Sequence, residues 1–480
     1  MQFNSYIFIL AFLPVFLAAY FLLGRRNATI RKGVIIAGGA VFYLWGGLSL
    51  ALIFGLSILV NYLFAYVLTG LKKHKRLLLG IAVAVNIGLL FYFKYFNFFL
   101  TGLNKFFQTD FVMREIALPL GISFFTFQQI MYLVNVERGE LTGLSLIDYL
   151  AYILYFPKLI MGPLTEPKVL IDQLQEEKTG LLDPVNVADG LKLFAFGLFK
   201  KVIFADMLSK VVASGLTNVD ALTSADTLLL MLSYTFEIYF DFSGYSDMAE
   251  GVSIMLNIDL PMNFDSPYKA LSVRDFWKRW HMSLTGFLTK YIYFPLGGSR
   301  KGKARTYLNT MIVFLISGIW HGANWTFILW GILHGAFSVF DRLKDKVWNK
   351  ILKPIRWLLT FLVINVLWLL FTASSIHEWL AMMGRLLSFS DLSVSPFLTE
   401  ALPDVSGIIS RLGLTSLFPT AGTALLLGFL VLSFLICLIP QNNVRRLRKN
   451  SLPTMLVAAL VLLVSILFLS GESVFVYFNF

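Results

Sequence analysis

Apolar runs of membrane length, each closed by a cluster of Lys and Arg, constrain this chain more than anything else in it. A membrane-spanning helix needs ~20 mostly apolar residues. Residues 5–24 qualify and end at Arg25, Arg26, Arg31 and Lys32. Residues 34–70 are too long for one helix and run into Lys72, Lys73, Lys75 and Arg76. Basic clusters on both sides of an over-long apolar run predict a hairpin with both ends cytoplasmic, turning near Gly46-Gly47. The whole chain shares the pattern. Of its 480 residues 57% are hydrophobic and 14% charged, and the mean hydropathy is +0.74. The net charge of +12 would suggest nucleic acid in a water-soluble protein. Here the cations sit at the ends of apolar runs, so membrane topology accounts for them and no nucleic-acid partner is implied. The first run has no charged leader before it and no small-residue cleavage site before Arg25, so it reads as a retained helix. Cys437, the single cysteine, lies in an apolar run and is expected to be buried and inert.

The remaining runs predict an all-α polytopic bundle of about 10–12 spanning or re-entrant helices with both termini outside the cytoplasm. Residues 77–100 contain Lys94, placed near the outer end and expected to snorkel. Residues 118–136 carry Gly, Ser, Thr and Gln suited to helix contacts in lipid. In residues 144–162, bent or ended by Pro157 and Pro163, Lys158 either faces protein, water or an anionic ligand or reaches the interface. Residues 187–212 are amphipathic and broken by Lys200 and Lys201, which fits a bent span or an interfacial helix. Glu237, Asp241, Asp247 and Glu250 fall within residues 228–258 and need partners. Arg274, Lys278 and Arg279 are the expected ones, and Ser243-Gly244 is a candidate kink. His74 reads as a loop residue. His377 reads as an exposed residue of a helix capped by Ser374 or Ser375 with Glu378.

Residues 274–340 hold three of the five histidines, His281, His321 and His334. Residues 307–340 again exceed one span and have basic flanks, which predicts a hairpin turning near His321-Gly322-Ala323-Asn324. His321 then lies deep in the membrane, where an ionisable residue is costly and marks a functional site. Gly322 permits a sharp turn or a close approach. A neutral imidazole there can take a proton from an attacking hydroxyl. The competing reading is a hydrogen-bonded core histidine. No Ser-His-Asp or Cys-His spacing supports a covalent enzyme. The set His281, His321 and Asp241 has no recognisable metal-ligand spacing, so no metal is expected.

Six segments, in order, are L-P-L-G-I-S-F-F-T-F-Q, F-P-K-L-I-M-G-P, Y-F-D-F-S-G-Y-S-D-M-A, F-W-K-R-W-H-M-S-L-T, Y-F-P-L-G-G-S-R and W-H-G-A-N-W-T-F-I-L-W-G-I-L-H-G. They resemble the membrane-bound O-acyltransferase (MBOAT) family, in particular the bacterial branch of the alginate O-acetylation membrane subunit. Thr289-Lys290 stands before Tyr291 where relatives often carry Arg-Asp. The resemblance implies one membrane domain over residues 1–480 around a transmembrane funnel, with core motifs in 115–345 and C-terminal helices in 355–480. It places the principal catalytic histidine at His321 and the second motif histidine at His281. It implies that Asn324 and Trp325 shape the site, with His334, Lys158, Asp241 and Trp280 as further candidates for substrate contact. It implies no bound cofactor, acetyl-CoA as donor substrate, and an exported polysaccharide as acceptor. An extracytoplasmic SGNH-type partner would serve the transfer, and the chain would sit in a bacterial cytoplasmic membrane among lipid. The alternatives are D-alanyl transfer to teichoic acid by the sister branch, and a transporter or flippase without covalent chemistry. Internal repeats expected of a transporter are not evident.

Overall fold

Lipid offers the backbone no hydrogen-bonding partner, so a chain of apolar runs satisfies its peptide groups as helices. The computed structural model of this chain describes residues 1–25, 27–141, 145–402, 421–440, 442–446, 451–469 and 475–476, and its long elements are all helical. A π-helical turn, Phe8–Phe12, leads into α1 (Leu13–Leu23). Asn27 caps α2 (Ala28–Leu44), its side-chain oxygen accepting from the Thr29 and Ile30 N–H groups. The chain turns at Gly46-Gly47 into α3 (Leu48–Gly70), which is the hairpin the basic clusters predict. Leu52 and Leu56 on the outer face of α3 are 65% and 63% exposed, a surface suited to lipid and not to water.

α4 (Lys75–Leu90), a π-helical turn (Phe91–Tyr95) and α5 (Phe96–Phe107) follow. Their combined length, Lys75–Phe107, is one of three helices among the described residues that are long and apolar enough to cross a membrane alone, with Leu48–Gly70 and Lys353–Thr372. The other spans are shorter or interrupted by polar residues. α6 (Ile122–Glu137) packs inside α3 and α4. Ser57 and Asn61 of α3 donate to the Gln129 side-chain oxygen at 2.9 and 2.7 Å, and Asn61 and Asn86 exchange amide bonds. Such side-chain bonds join helices where the hydrophobic effect does not operate between them.

Residues 144–162, of which 144 lies outside the described residues, are not a single span. α7 (Leu146–Ile153) and α8 (Phe156–Leu159) are short, and the chain returns to the side it left. Lys290 pairs with both Glu140, before α7, and Glu166, after α8, at 2.9 and 2.8 Å. Lys158 is fully buried, donating to the Gln128 side chain at 2.5 Å and lying 3.7 Å from the Tyr152 ring centre. It neither snorkels nor reaches a ligand cavity, because protein groups satisfy it inside the re-entrant loop.

α9 (Pro167–Gln175) follows. α10 (Pro184–Phe199), a π-helical turn (Lys200–Ala205) and α11 (Asp206–Thr217) form one bent helix buried along α12 (Ser224–Met255), which begins in a Thr223–Asp226 capping box. The bend expected at Lys200 and Lys201 therefore holds. The partners expected for the α12 carboxylates do not. Lys201 Nζ lies 2.6 Å from Asp241 and 2.9 Å from Asp206, and Lys200 lies 2.7 Å from Asp247. Arg279 instead pairs with Asp275 at 3.0 Å. The helix adjacent in the bundle reaches these carboxylates first. Gly244 does not kink α12. A Cβ there would sit 2.8 Å from the Gly197 carbonyl oxygen, so its role is close helix contact. Gly244→Leu is expected to destabilise the protein by about 1–3 kcal/mol through overpacking, read as a lowered thermal midpoint in detergent.

α13 (Val273–Trp277), α14 (Met282–Leu288), α15 (Lys303–His321), α16 (Trp325–Trp348), α17 (Lys353–Thr372) and α18 (Ile376–Ser388) complete the described core. Ser375 caps α18 by accepting from the Glu378 N–H, and His377 on it is exposed, as expected. Helices Ala421–Leu438 and Leu452–Leu467 follow; Cys437 is buried. Residues 403–420, Arg26, Arg448 and Lys449 lie outside the described residues.

Candidate functional site

The predicted hairpin forms: α15 ends at His321 and α16 begins after its cap, Asn324. A Cβ on Gly322 would lie 2.1 Å from the Phe327 ring, so any side chain there would require that ring to move. Basic residues of 300–305 fall at the start of α15 and those of 342–346 near the end of α16, which puts the open ends of the hairpin on the cytosolic side and its tip on the far side.

His321 is buried, and its Nδ1–H donates to the Ser317 carbonyl oxygen at 2.6 Å. In the neutral ring this places the lone pair on Nε2. The imidazole is boxed by aromatic rings, with Trp320, Trp330 and Phe371 at 4.9, 5.0 and 5.5 Å between centres.

One cavity ends about one helical turn from this residue and a second is lined by it. The first, of 220 Å³, is lined on α15 by Thr310, Val313, Phe314 and Ser317, opposite Thr285 and Leu288 of α14. Its remaining lining includes Arg274, Lys278 and Arg342. Positions 310, 314, 317 and 321 share one helical face, so this cavity runs up α15 to one turn (~5.4 Å) below His321. The second, of 60 Å³, is lined by His321 itself, Trp320, Lys94, Ser123, Phe124 and the Leu118–Ile122 turn. A larger cleft of 820 Å³ lies on the other face of α14 and is lined by Glu166, Glu176 and Asp259 as well as Lys178.

His281 is fully buried beside the same rings, 6.4 Å from Trp320 and 4.7 Å from Phe242. Its Nδ1 lies 3.2 Å from the Asn263 side-chain oxygen, which also accepts from Ser283 Oγ at 2.8 Å. The Asn263 oxygen is thus an acceptor and His281 Nδ1–H a donor. His281 Nε2 has no hydrogen-bond partner among the described residues. The backbone of His281 is left-handed, φ +44°, a strained conformation for a side-chain-bearing residue and one that clusters at functional sites. Trp320 touches both imidazoles and links them.

His334 stands one ring further along, 4.6 Å from Trp330, and its Nδ1 accepts from the Trp277 indole N–H at 3.1 Å. Asn324 accepts from the Thr326 N–H and donates to the Ser374 carbonyl at 2.8 Å, so it shapes the hairpin tip. Trp325 is 63% exposed and packs edge-on against Phe98. Trp280 is buried among Phe264, Phe276 and Trp368. Neither it, Lys158 nor Asp241 lines the cavities at His321. Asp241 is held by Lys201 and by the Val476 N–H at 2.9 Å. Three site residues escape a reading of the sequence. Ser317 and Arg342 carry no motif signal. Lys94 does, as a lone cation in an apolar run, but its direction depends on α15.

Residues 59–382 match the profile of the membrane-bound O-acyltransferase family. A peptidoglycan O-acetyltransferase of Helicobacter pylori is 35% identical over all of this chain and 97% of its own length. A probable alginate O-acetylase, AlgI, of Pseudomonas putida is 38% identical over 82% of each chain. A teichoic acid D-alanyltransferase of Streptococcus thermophilus is 30% identical over 48% of this chain and 60% of its own. The chain belongs to the membrane-bound O-acyltransferase (MBOAT) family and is an O-acyltransferase.

Proposed function

We propose that this chain moves an acetyl group from cytosolic acetyl-CoA towards hydroxyls of an extracytoplasmic polysaccharide, with His321 as the general base. The observation that carries this reading is the position of His321 between two cavities, one rising from the cytosolic side past Arg274, Lys278 and Arg342, the other lying on the far side. An acyl-CoA carries phosphates at one end and its thioester at the other. A basic entrance leading to an apolar and hydroxyl-lined interior suits both ends, whereas the acidic groups of the larger cleft disfavour an anionic donor.

In the proposed step His321 Nε2 takes the proton of an attacking hydroxyl. The hydroxyl oxygen bonds to the acetyl carbon as the carbon–sulfur bond breaks. The imidazolium then returns the proton to the thiolate, and CoA leaves as the free thiol. The attacking hydroxyl belongs to the glycan or to an SGNH-type extracytoplasmic partner that hands the acetyl on. His281 supports the reaction centre through Trp320. Asn324 and Trp325 shape the hairpin tip that follows His321.

The relatives that acetylate peptidoglycan and alginate support a polysaccharide acceptor and a bacterial cytoplasmic membrane location. The D-alanyltransferase likeness covers about half of this chain, so D-alanyl transfer is the weaker reading. A transporter or flippase would release no CoA. The purified chain supplied with acetyl-CoA, against a D-alanyl carrier protein, separates the three. Charge reversal at the entrance is a second test. Arg274→Glu, Lys278→Glu or Arg342→Glu each removes a charge-assisted bond of about 1.5–3 kcal/mol. Each is expected to raise the donor KM on the order of 10-fold or more, with little change in kcat.

A further inference from the structure

A helix that ends inside a membrane leaves its last carbonyls without N–H partners, and lipid supplies none. α15 ends this way at His321, and the helix passing beside it covers the exposed end. Tyr95 Oη donates to the Ile319 carbonyl at 2.8 Å and reaches that of Trp320 at 3.3 Å. Lys94 Nζ donates to the carbonyls of Trp320 and His321 at 2.7 and 3.0 Å, and to Ser123 Oγ at 3.2 Å. An ammonium has three N–H donors, and these three acceptors use them all. Lys94 therefore lines the far-side cavity without a donor to spare for substrate.

Its placement depends on a backbone irregularity. Consecutive residues of an α-helix point about 100° apart, yet Lys94 and Tyr95 both reach one helix end. They do so from the π-helical turn Phe91–Tyr95, and such turns occur often at functional sites. A cation at a helix C-terminus is also favoured by the helix dipole.

We propose that Lys94 is a positioning residue: it fixes the terminal turn of α15 and so holds the His321 imidazole between the two cavities. The inference rests on His321 being the base. It is tested on the full-length purified chain with Lys94→Met, Lys94→Arg, Tyr95→Phe and His321→Ala. Two quantities are read, CoA release from acetyl-CoA and hydrogen exchange of the backbone amides of residues 317–325. Displacing a reacting group by about 1 Å can cost roughly 10²-fold. Lys94→Met is therefore expected to lower kcat by 10-fold or more, with the acetyl-CoA KM within about twofold of wild type, and to speed exchange at the end of α15. Lys94→Arg is expected to recover most of both, and Tyr95→Phe to show a smaller loss of the same kind. If Lys94→Met does not fold, the comparison of Lys94→Arg with Tyr95→Phe carries the test. Unchanged kcat and unchanged exchange in folded variants overturn the proposal. If wild type leaves acetyl-CoA intact, or His321→Ala releases CoA as fast as wild type, it is the functional reading that fails. Exchange in Lys94→Met then still decides whether Lys94 holds α15.

Discussion

Replacing His321 by alanine is expected to lower acyl transfer by about 10²-fold or more at matched folded protein, because the imidazole proposed as general base at the far-side cavity is lost. The donor KM is expected to change little, since the groups suited to the CoA phosphates lie at the cytosolic entrance. A fall in kcat with an unaltered KM marks an interaction made in the transition state. His281→Ala is the informative companion. His281 touches Trp320, not the far-side cavity, so its loss is expected to cost less than that of His321. An equal cost would indicate that the two imidazoles act as one unit.

Replacing Lys201 by methionine is expected to produce the largest loss of stability. Its Nζ lies between Asp241 and Asp206, and both it and Asp241 are buried. Removing it leaves carboxylates buried without their cation, a change that costs about 3–5 kcal/mol where measured in other proteins. Thermal unfolding in detergent measures it. The double variant Lys201→Met/Asp241→Asn is expected to recover part of the loss, because it removes a stranded charge as well. Specific activity of the folded fraction should survive. If activity disappears while stability holds, Asp241 contacts substrate after all, and the packing role assigned here to the α12 carboxylates is wrong.

The two cases differ in how far the sequence reveals them. The hairpins in residues 34–70 and 307–340 are legible because basic clusters bracket apolar runs too long for one span. Their turns, at Gly46-Gly47 and at His321–Asn324, follow from that length. His321 is legible for the same reason, since a hairpin tip is the one place where an imidazole can be deep in the membrane and still open to a far-side cavity. The re-entrant fold of residues 146–165 is not legible. Its apolar length lies within the range of a real span, and only the shared grip of Lys290 on Glu140 and Glu166 shows the chain returning. The partners of the α12 carboxylates were obscured for a related reason. Sequence proximity favoured Arg274, Lys278 and Arg279, whereas helix packing presents Lys200 and Lys201. Lys94 looked like a snorkelling residue because nothing local reveals that the end of α15 needs a donor.

The most direct test of the central claim uses the chain reconstituted in one orientation in vesicles, with acetyl-CoA supplied to one face at a time and free CoA measured, in wild type and His321→Ala. CoA release is expected only when acetyl-CoA is on the face bearing Arg274, Lys278 and Arg342, stimulated by an acceptor or SGNH-type partner on the opposite face, and reduced about 10²-fold or more in His321→Ala. Release driven from the opposite face, or an undiminished rate in His321→Ala, would contradict that claim.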